Sequence, residues 1–391
     1  MGVLILKPTE DRRIRAGHLW VFSNEIAEVR DLGENGELVD VVSARGRFLG
    51  RAYYNKHSLI AARILTTRHE EIDRSFFLAR FTKAVEYRAE TLGPSRSGRM
   101  VFAESDLLPG LIVDKYEGWL VVQFLTLGME RLREMVLSSL VEVFSPEGVL
   151  VRNDSPFRRL EALDEEVAVV YGSLPDHVEI EEAGARFAVA LRSGQKTGFF
   201  FDQRDNRAVA RMLAAGRRVL DCFCYSGGFS ISAVIGGAAS VLAVDDSQAA
   251  LDLLSRNAEL NDVSGSISNC KADCFSFLRE QITSGNRYDL IILDPPAFVK
   301  SKSQLKAALA GYREINLSAM KLLAPDGILL TCSCSQNLSV SAFEDVLRAA
   351  AHDAQVRLRR RAFLSQAADH PILQAMPETE YLKGFVLQRI S

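Results

Sequence analysis

The apolar and polar positions of this chain fall into three regimes. Up to about residue 70, short apolar runs (Leu4 to Lys7, Glu37 to Ser43, Arg47 to Tyr54, Leu59 to Leu65) are punctuated by Gly33, Gly36, Gly46 and Gly50. Short runs between glycines predict the strands of a small β-barrel. A different pattern begins at Arg74, where apolar residues recur at three- and four-residue spacing as far as Leu92, predicting a helix that Gly93-Pro94 stops. Strands at Gly110 to Asp114 and Trp119 to Leu125, a helix from about Glu130 to Phe144 and a strand at Val149 to Asn153 make this a small α+β unit. Two further strands, Val178 to Glu182 and Arg186 to Leu191, form a hairpin turning at Ala183-Gly184.

From about Asp202, apolar strands alternate with helical stretches. The strands are Arg218 to Phe223, Val241 to Asp245, Ile267 to Lys271, Tyr288 to Leu293 and Ile328 to Ser333. Strand–helix alternation predicts an α/β domain with a parallel, doubly wound, Rossmann-like sheet. Two late strands, about Val356 to Phe363 and Tyr381 to Gln388, bring it to seven. The expected domains are residues 1–70 (β-barrel), 71–177 (α+β) and 178–391, with the hairpin at the start of the last.

Composition narrows the class. With 391 residues the chain is long for one core, which favours roughly two or three domains. Hydrophobic residues at 48% and charged residues at 25% are ordinary for a folded soluble protein and argue against disorder. The opening residues do not read as a signal peptide, and no apolar stretch reaches membrane-spanning length. All six cysteines lie between Cys222 and Cys334, which fits reduced thiols in a cytoplasmic protein better than a disulfide framework. A net charge of −3 requires any positive field for a polyanion to be local.

The first strand of the alternating region ends at Asp221 and turns into a helix through Cys222-Phe223-Cys224-Tyr225-Ser226-Gly227-Gly228. Glycines at such a turn let the backbone approach a ligand, at the mouth where doubly wound sheets bind. Asp245, at the end of the second strand, is placed to accept from ribose hydroxyls. Asp273, after the third, is placed to meet an adenine amino group. The glycine spacing is not the dinucleotide pattern, and a carboxylate at Asp221 repels a pyrophosphate. S-adenosylmethionine carries an ammonium and a sulfonium instead, so the aspartates as a set favour it. Taken alone, Asp245 reads equally well as a helix N-cap, a role that Asp246 and Ser247 also fit.

The fourth strand runs into Asp294-Pro295-Pro296-Ala297-Phe298. Two prolines stiffen the backbone and leave carbonyls free to face a substrate, with Asp294 available to a base; a stiffened loop stop is the plainer alternative. In the fifth, alternation places Cys332 and Cys334 on one face and Thr331 and Ser333 on the other. Cys334 lies at the C-terminal edge, where this architecture keeps its chemistry. Carbon 5 of a pyrimidine is barely nucleophilic until a thiolate adds to carbon 6, and a cysteine facing an acid such as Asp294 suits that addition. Small buried cysteines are commoner than catalytic ones, and Cys222, Cys270 and Cys332 read that way. A zinc site from the two C-x-C pairs is disfavoured, because the first and fifth strands are not expected to adjoin; no metal is expected.

The order of these motifs resembles the bacterial 23S ribosomal RNA cytosine-5 methyltransferase family of the RlmI type, and the resemblance spans nearly the whole chain. Ala16-Gly17-His18-Leu19-Trp20-Val21-Phe22-Ser23-Asn24-Glu25-Ile26 looks like the opening of that family's PUA domain, continued by Gly50 to Asn55 and Ser58 to Arg63. Ser193 to Arg207 is similar to its signature leading into a class I methyltransferase domain. The resemblance implies that Phe200, Gln203, Arg204 and Asn206 border cofactor or target base. It also implies that Asp221, Phe223, Tyr225, Gly227, Asp245 and Asp273 hold S-adenosylmethionine, that Asp294 meets the base and that Cys334 is the nucleophile. Ala297 stands where related cytosine-5 enzymes commonly carry a second cysteine, which leaves the group that removes the carbon-5 proton open between Cys332 and Asp294.

The expected partner is RNA, ribosomal or in a precursor particle, with no membrane; a homodimer is compatible with the sequence. Basic clusters at Arg12, Arg13 and Arg15, at Arg45, Arg47 and Arg51, and at Arg357, Arg359, Arg360 and Arg361 are candidates for phosphate contact or plain solvated faces. His18, Trp20 and Phe22 beside the first offer stacking surface, or belong to the barrel core. Two competing readings remain: guanine-nitrogen methylation of RNA, with Cys334 a bystander, and a non-catalytic RNA-binding assembly factor that keeps the cofactor fold.

Overall fold

Strands β1 (Gly2–Leu6), β2 (Trp20–Phe22), β3 (Ile26–Arg30), β4 (Leu38–Val42), β5 (Phe48–Tyr54) and β6 (Ile60–Thr66), with a short helix α1 (Arg12–Arg15), carry the N-terminal apolar runs. They form one six-stranded sheet in the order β2-β6-β5-β4-β1-β3. Pairing registers shift at Ile5/Leu6, Val21/Phe22, Val41/Val42 and Arg51/Ala52. Such shifts add twist and curl. The computed structural model describes residues 1–93, 96–298 and 305–390.

A second sheet follows. Helix α2 (Arg74–Leu92) is capped by Asp73, whose side chain accepts from the Phe76 amide, and ends at Gly93 with φ 61°. Pro94, the second half of the expected stop, lies outside the described residues. After it come β7 (Gly98–Phe102), β8 (Leu111–Tyr116), β9 (Trp119–Phe124), α3 (Leu127–Arg131), α4 (Arg133–Phe144), β10 (Gly148–Asn153) and β11 (Glu166–Gly172), giving a five-stranded sheet ordered β11-β10-β9-β8-β7. The helix expected over Glu130 to Phe144 is broken at Leu132. Strands β5 and β6 are buried on both faces because they serve two cores. Ala52, Tyr54, Ala62 and Ile64 point into the first sheet's interior, whereas Tyr53 and Leu65 pack with Phe77, Phe81 and Leu120 of the second.

Strands β12 (Val178–Glu182) and β13 (Ala185–Val189) form the expected hairpin. Ala183 and Gly184 both have positive φ, 50° and 79°, the signature of a tight primed turn.

The remaining elements are α5 (Arg204–Leu213), β14 (Arg218–Cys222), α6 (Gly228–Ile235), β15 (Ser240–Asp245), α7 (Gln248–Leu260), β16 (Ile267–Lys271), α8 (Cys274–Thr283), β17 (Tyr288–Leu293), α9 (Leu305–Leu322), β18 (Leu323–Ser333), α10 (Val340–Asp353), β19 (Leu358–Ser365) and β20 (Lys383–Arg389). Their strands make a seven-stranded sheet ordered β16-β15-β14-β17-β18-β20-β19. Five are mutually parallel, and β20 runs antiparallel to both its neighbours. The order reverses between β14 and β17, which opens the crevice where such sheets bind ligands. One face packs Leu220, Ile291, Leu329 and Tyr312, the other Val219, Leu290, Ile292 and Leu330. Continuous apolar strands of this kind are what burial on both faces demands.

The chain divides into two compact units. One comprises Met1–Ile180, Val189–Phe201 and Ala368–Thr379; the other comprises Glu181–Ala188, Asp202–Ala367 and Glu380–Ser391. No helix among the described residues is long and apolar enough to cross a membrane.

Candidate active site

The second unit gathers its polar side chains at the C-terminal ends of β14, β15, β17 and β18. Asp221, on β14, is fully buried. Its Oδ2 accepts from Ser230 Oγ at 2.6 Å, and its Oδ1 has no hydrogen-bond partner among the described residues. Burial pushes this carboxyl up to about 7, and the negative charges of Asp294 and Asp245 push the same way. A buried carboxylate oxygen with no donor, beside two further carboxylates, is a site for a cation.

The turn after β14 is held in an uncommon conformation. Phe223, Tyr225 and Gly227 have φ of 64°, 46° and 84°. Aromatic residues seldom adopt the left-handed region, and residues kept there at some energetic cost cluster at ligand sites. The neighbouring strand holds the loop: Cys224 N donates to Val244 O at 3.1 Å, and Tyr225 N to Asp245 Oδ2 at 2.9 Å. A Cβ on Gly227 would lie 2.7 Å from Leu254 Cγ. The close approach of that leucine and the positive φ both call for glycine here.

The N-cap alternative for Asp245 goes elsewhere. Ser247 caps α7 by accepting from Ala250 N, while Asp245 Oδ1 accepts from Ser247 N at 3.0 Å. Asp245 therefore straps the loop from the neighbouring strand and stays half-buried at the crevice. Asp273 does cap its helix: its Oδ1 accepts from Ser276 N at 2.9 Å, and the residue is exposed at the crevice rim. This donor set fits S-adenosylmethionine. Asp221 would offer its second oxygen to the amino group, Asp245 and Asp273 would offer acceptors along the strand ends, and residues 222–228 include no basic side chain to neutralise phosphate.

On the other side of β14, Cys334 meets the Asp-Pro-Pro segment. Its Sγ lies 3.9 Å from Pro295 O, and the side chain is half-buried rather than sealed. Cys332 is fully buried in an apolar cluster with Leu364, Leu382 and Val386, and burial pushes its thiol well above the usual value. The expected alternation holds. Ser333 faces the opposite way and donates from Oγ to Tyr312 Oη at 2.8 Å.

The segment resembling the family signature divides at Phe201/Asp202. Phe200 belongs to the first unit, where the Lys196 ammonium lies 4.6 Å from its ring centroid. The others join the second unit in a chain of hydrogen bonds. Asn206 Nδ2 donates to Ser365 O at 3.1 Å and to Gln203 Oε1 at 2.6 Å, and Gln203 Nε2 donates to Asp294 Oδ1 at 2.7 Å. Gln203 and Asn206 are buried and reach Asp294. Arg204 Nε stands 3.6 Å from Glu182 Oε2, the carboxylate that Arg207 grips with two bonds of 2.6 and 2.7 Å.

Several supports of the site escape sequence reasoning. Tyr312, Arg207 with Glu182, and Lys383 act through partners distant in sequence, and Ser230 acts from the helix after the cofactor loop. Only Gly384, where a Cβ would come 2.9 Å from Cys332 Sγ, left a trace as a small residue after a lysine in an apolar strand.

The basic clusters fare unevenly. Arg51 is buried, paired with Asp40 at 2.9 Å and donating to Glu70 O, so it is committed to the fold. Arg13 pairs with Glu25 at 2.7 Å and covers the Phe22 ring, and Trp20 Nε1 donates to Glu104 Oε1 at 2.8 Å. His18 is buried, and Trp20 and Phe22 are half-buried, nearer to core than to an open stacking platform. Arg12, Arg15, Arg45 and Arg47 are exposed, as are the arginines of edge strand β19.

Residues 4–67 match the model of a PUA-like domain, and residues 161–373 match that of S-adenosylmethionine-dependent methyltransferases. The chain is 41% identical to ribosomal RNA large subunit methyltransferase I of Tolumonas auensis, over 98% of each chain. It is 42% identical to the Vibrio cholerae protein of the same name, over 96% of each. Among solved structures, a candidate S-adenosylmethionine-dependent methyltransferase from Streptococcus mutans superposes with a TM-score of 0.86 at 22% identity, covering 99% of this chain and 100% of that one. A candidate methyltransferase in complex with SAH gives 0.87 at 21% identity over the same shares. These two share the fold.

Proposed function

This chain belongs to the S-adenosylmethionine-dependent methyltransferase family that includes ribosomal RNA large subunit methyltransferase I, and from that premise we propose that it methylates carbon 5 of a cytosine in 23S ribosomal RNA, with Cys334 as nucleophile. The observation that carries the chemistry is the approach of Cys334 Sγ to Pro295 O at the mouth of the crevice. A thiol there faces whatever base the Asp-Pro-Pro carbonyls and Asp294 receive.

When bound, S-adenosylmethionine supplies the electrophilic methyl group. The residues proposed to hold it are Asp221, Phe223, Tyr225, Gly227, Asp245 and Asp273. Carbon 5 of cytosine is a poor nucleophile, so the Cys334 thiolate adds to carbon 6 and a new S–C bond delivers electron density to carbon 5. Asp294, oriented by Gln203, hydrogen-bonds the base as that density builds. After carbon 5 has gained its substituent, its proton leaves to a base, the carbon 5–carbon 6 double bond reforms, and the thiolate is expelled. Cys332 suits the base role poorly, because it is fully buried and its thiol is pushed well above the usual value; Asp294, directly or through water, suits it better.

The target base must leave its stack to expose carbon 6, which favours an unpaired or incompletely assembled RNA region. The PUA-like domain, with exposed Arg12, Arg15, Arg45 and Arg47, is the proposed contact for the surrounding RNA backbone. Nucleoside mass spectrometry of undermethylated ribosomal RNA treated with the protein and S-adenosylmethionine tests the reading. 5-Methylcytidine is expected from the wild type and none from Cys334→Ala. Methylated guanine, or undiminished product from the variant, would overturn it.

A further inference from the structure

Cys334 sits on a short peptide held from both sides. Its neighbours Ser333 and Ser335 are fully buried, and both hydroxyls reach Tyr312 Oη, at 2.8 and 2.9 Å. Ser335 N also donates to Ser333 Oγ at 3.3 Å. On the other side, Lys383 Nζ donates to Ser335 O at 2.6 Å and to Leu338 O at 2.7 Å. Lys383 opens β20, where it pairs with Ser333, and only 4% of it is exposed.

A buried lysine in an otherwise apolar strand is costly, and two carbonyls are ordinarily satisfied by backbone amides. Those two bonds use two of the three ammonium hydrogens, and the bond to Ser335 O places the ammonium beside the residue that follows Cys334. We propose that Lys383 is the positioning residue of the nucleophile: it fixes the turn that carries Cys334 and supplies the positive charge that keeps the thiol ionised for attack.

The inference rests on the reading of Cys334 as nucleophile. It supplies what the Asp-Pro-Pro face lacks, since Asp294 and Asp202 act on neighbouring Cys332 with negative charge and oppose a thiolate. The Glu380 carboxylate also acts on Lys383 with negative charge, and the Tyr312 phenol bonds the serines on either side of Cys334. Burial lowers the lysine to about 8, while the Cys334 charge pulls it back up. The attraction is mutual, so the ammonium that feels the thiolate also favours it.

The test is the pH dependence of iodoacetamide alkylation of Cys334 in the full chain, read on the Cys334 peptide by mass spectrometry so that the other cysteines do not contribute. Alongside it, kcat is measured for Lys383→Gln, which keeps a donor without the charge, and for Lys383→Arg, which keeps the charge. The alkylation midpoint is expected to rise by about one to three pH units in Lys383→Gln. Its kcat should fall about tenfold to a hundredfold, while Lys383→Arg retains the low midpoint. If Lys383→Gln leaves midpoint and kcat unchanged while Cys334→Ala is inactive, this inference fails and the nucleophile reading stands. If Cys334→Ala methylates normally, both fail. Should Lys383→Gln not fold, the wild type decides. A midpoint clearly below the ordinary thiol value of about 8.5 supports the inference, and one at or above it overturns it.

Discussion

Gln203 donates from Nε2 to Asp294 Oδ1 at 2.7 Å, so the carboxylate at the Asp-Pro-Pro turn is aimed by a side chain 91 residues earlier in the chain. Asn206 in turn fixes Gln203 by donating to its Oε1 at 2.6 Å. The three act as one line, anchored on Ser365 O at the end of β19.

Gln203→Leu therefore removes this donor to Asp294 while keeping the volume. A hydrogen bond to a charged group contributes about 1.5–3 kcal/mol, which corresponds to roughly a tenfold to hundredfold loss in kcat if it is expressed in the transition state. The dissociation constant for S-adenosylmethionine should stay within about twofold. Steady-state kinetics with calorimetry checks both, and a loss confined to cofactor affinity would place Gln203 on the wrong side of β14.

Asp221 predicts a pH dependence. Its folded value of about 7 lies above the 3.8 of an unperturbed Asp. An acid raised on folding binds more protons in the folded state, so its stabilising contribution is full below about pH 4 and is lost as pH rises through 7. Cation binding needs the opposite form. Affinity for S-adenosylmethionine should fall about tenfold per pH unit below 7, while the thermal stability of the ligand-free protein moves the other way over that window. Asp221→Asn should flatten both trends and weaken binding. Calorimetry and melting curves between pH 5 and 8 decide; a wild-type affinity independent of pH would remove Asp221 from the site.

How much of this was legible beforehand follows from what each residue answers to. Periodicity located β16, β17 and α2 to the residue, because burial of a whole strand or helix face leaves a local pattern. Strands β2, β3, β7 and β11 leave no such pattern. β2 has only three residues, and β3 and β11 lie at sheet edges, where one side of the strand has no partner to constrain its pattern. β18 begins five residues before the expected Ile328, because Pro325-Asp326-Gly327 makes a tight local kink inside the strand: Asp326 has φ 59°, and the register with β17 jumps there. Asp221, Asp294 and Cys334 stand out as candidates because strand ends in this architecture gather at one edge. Lys383 does not, since its partners are carbonyls, which any residue supplies.

Gly227→Ala tests the tightness of the cofactor loop. At φ 84° with the new Cβ 2.7 Å from Leu254 Cγ, alanine meets both backbone strain and a clash. A cost of about 1–3 kcal/mol in stability is expected, with S-adenosylmethionine binding lost more completely than stability. Gly184→Ala, also at positive φ but open to solvent on the Cβ side, should cost stability without touching binding. Equal effects on binding from both substitutions would mean that Gly227 matters only for folding.

The last prediction concerns the ion pair beneath that loop. Glu182 and Arg207 are both buried, joined by two bonds, and Arg207 Cδ lies 3.1 Å from where a Cβ on Gly228 would be. The pair thus joins the hairpin to α5 and supports the start of α6. Removing one partner strands a buried charge, a change that typically costs about 3–5 kcal/mol, whereas removing both replaces the charges by neutral groups. Arg207→Met should therefore lower the unfolding free energy by about 3 kcal/mol, somewhat eased by Arg204, which stands 3.6 Å from the same carboxylate. Adding Glu182→Gln to that variant should restore most of the loss, a sign of coupling that a simple packing role for the arginine stem would not produce. Denaturant titration of the four proteins of the cycle measures it, and additive losses would reduce the pair to two independent packing contacts.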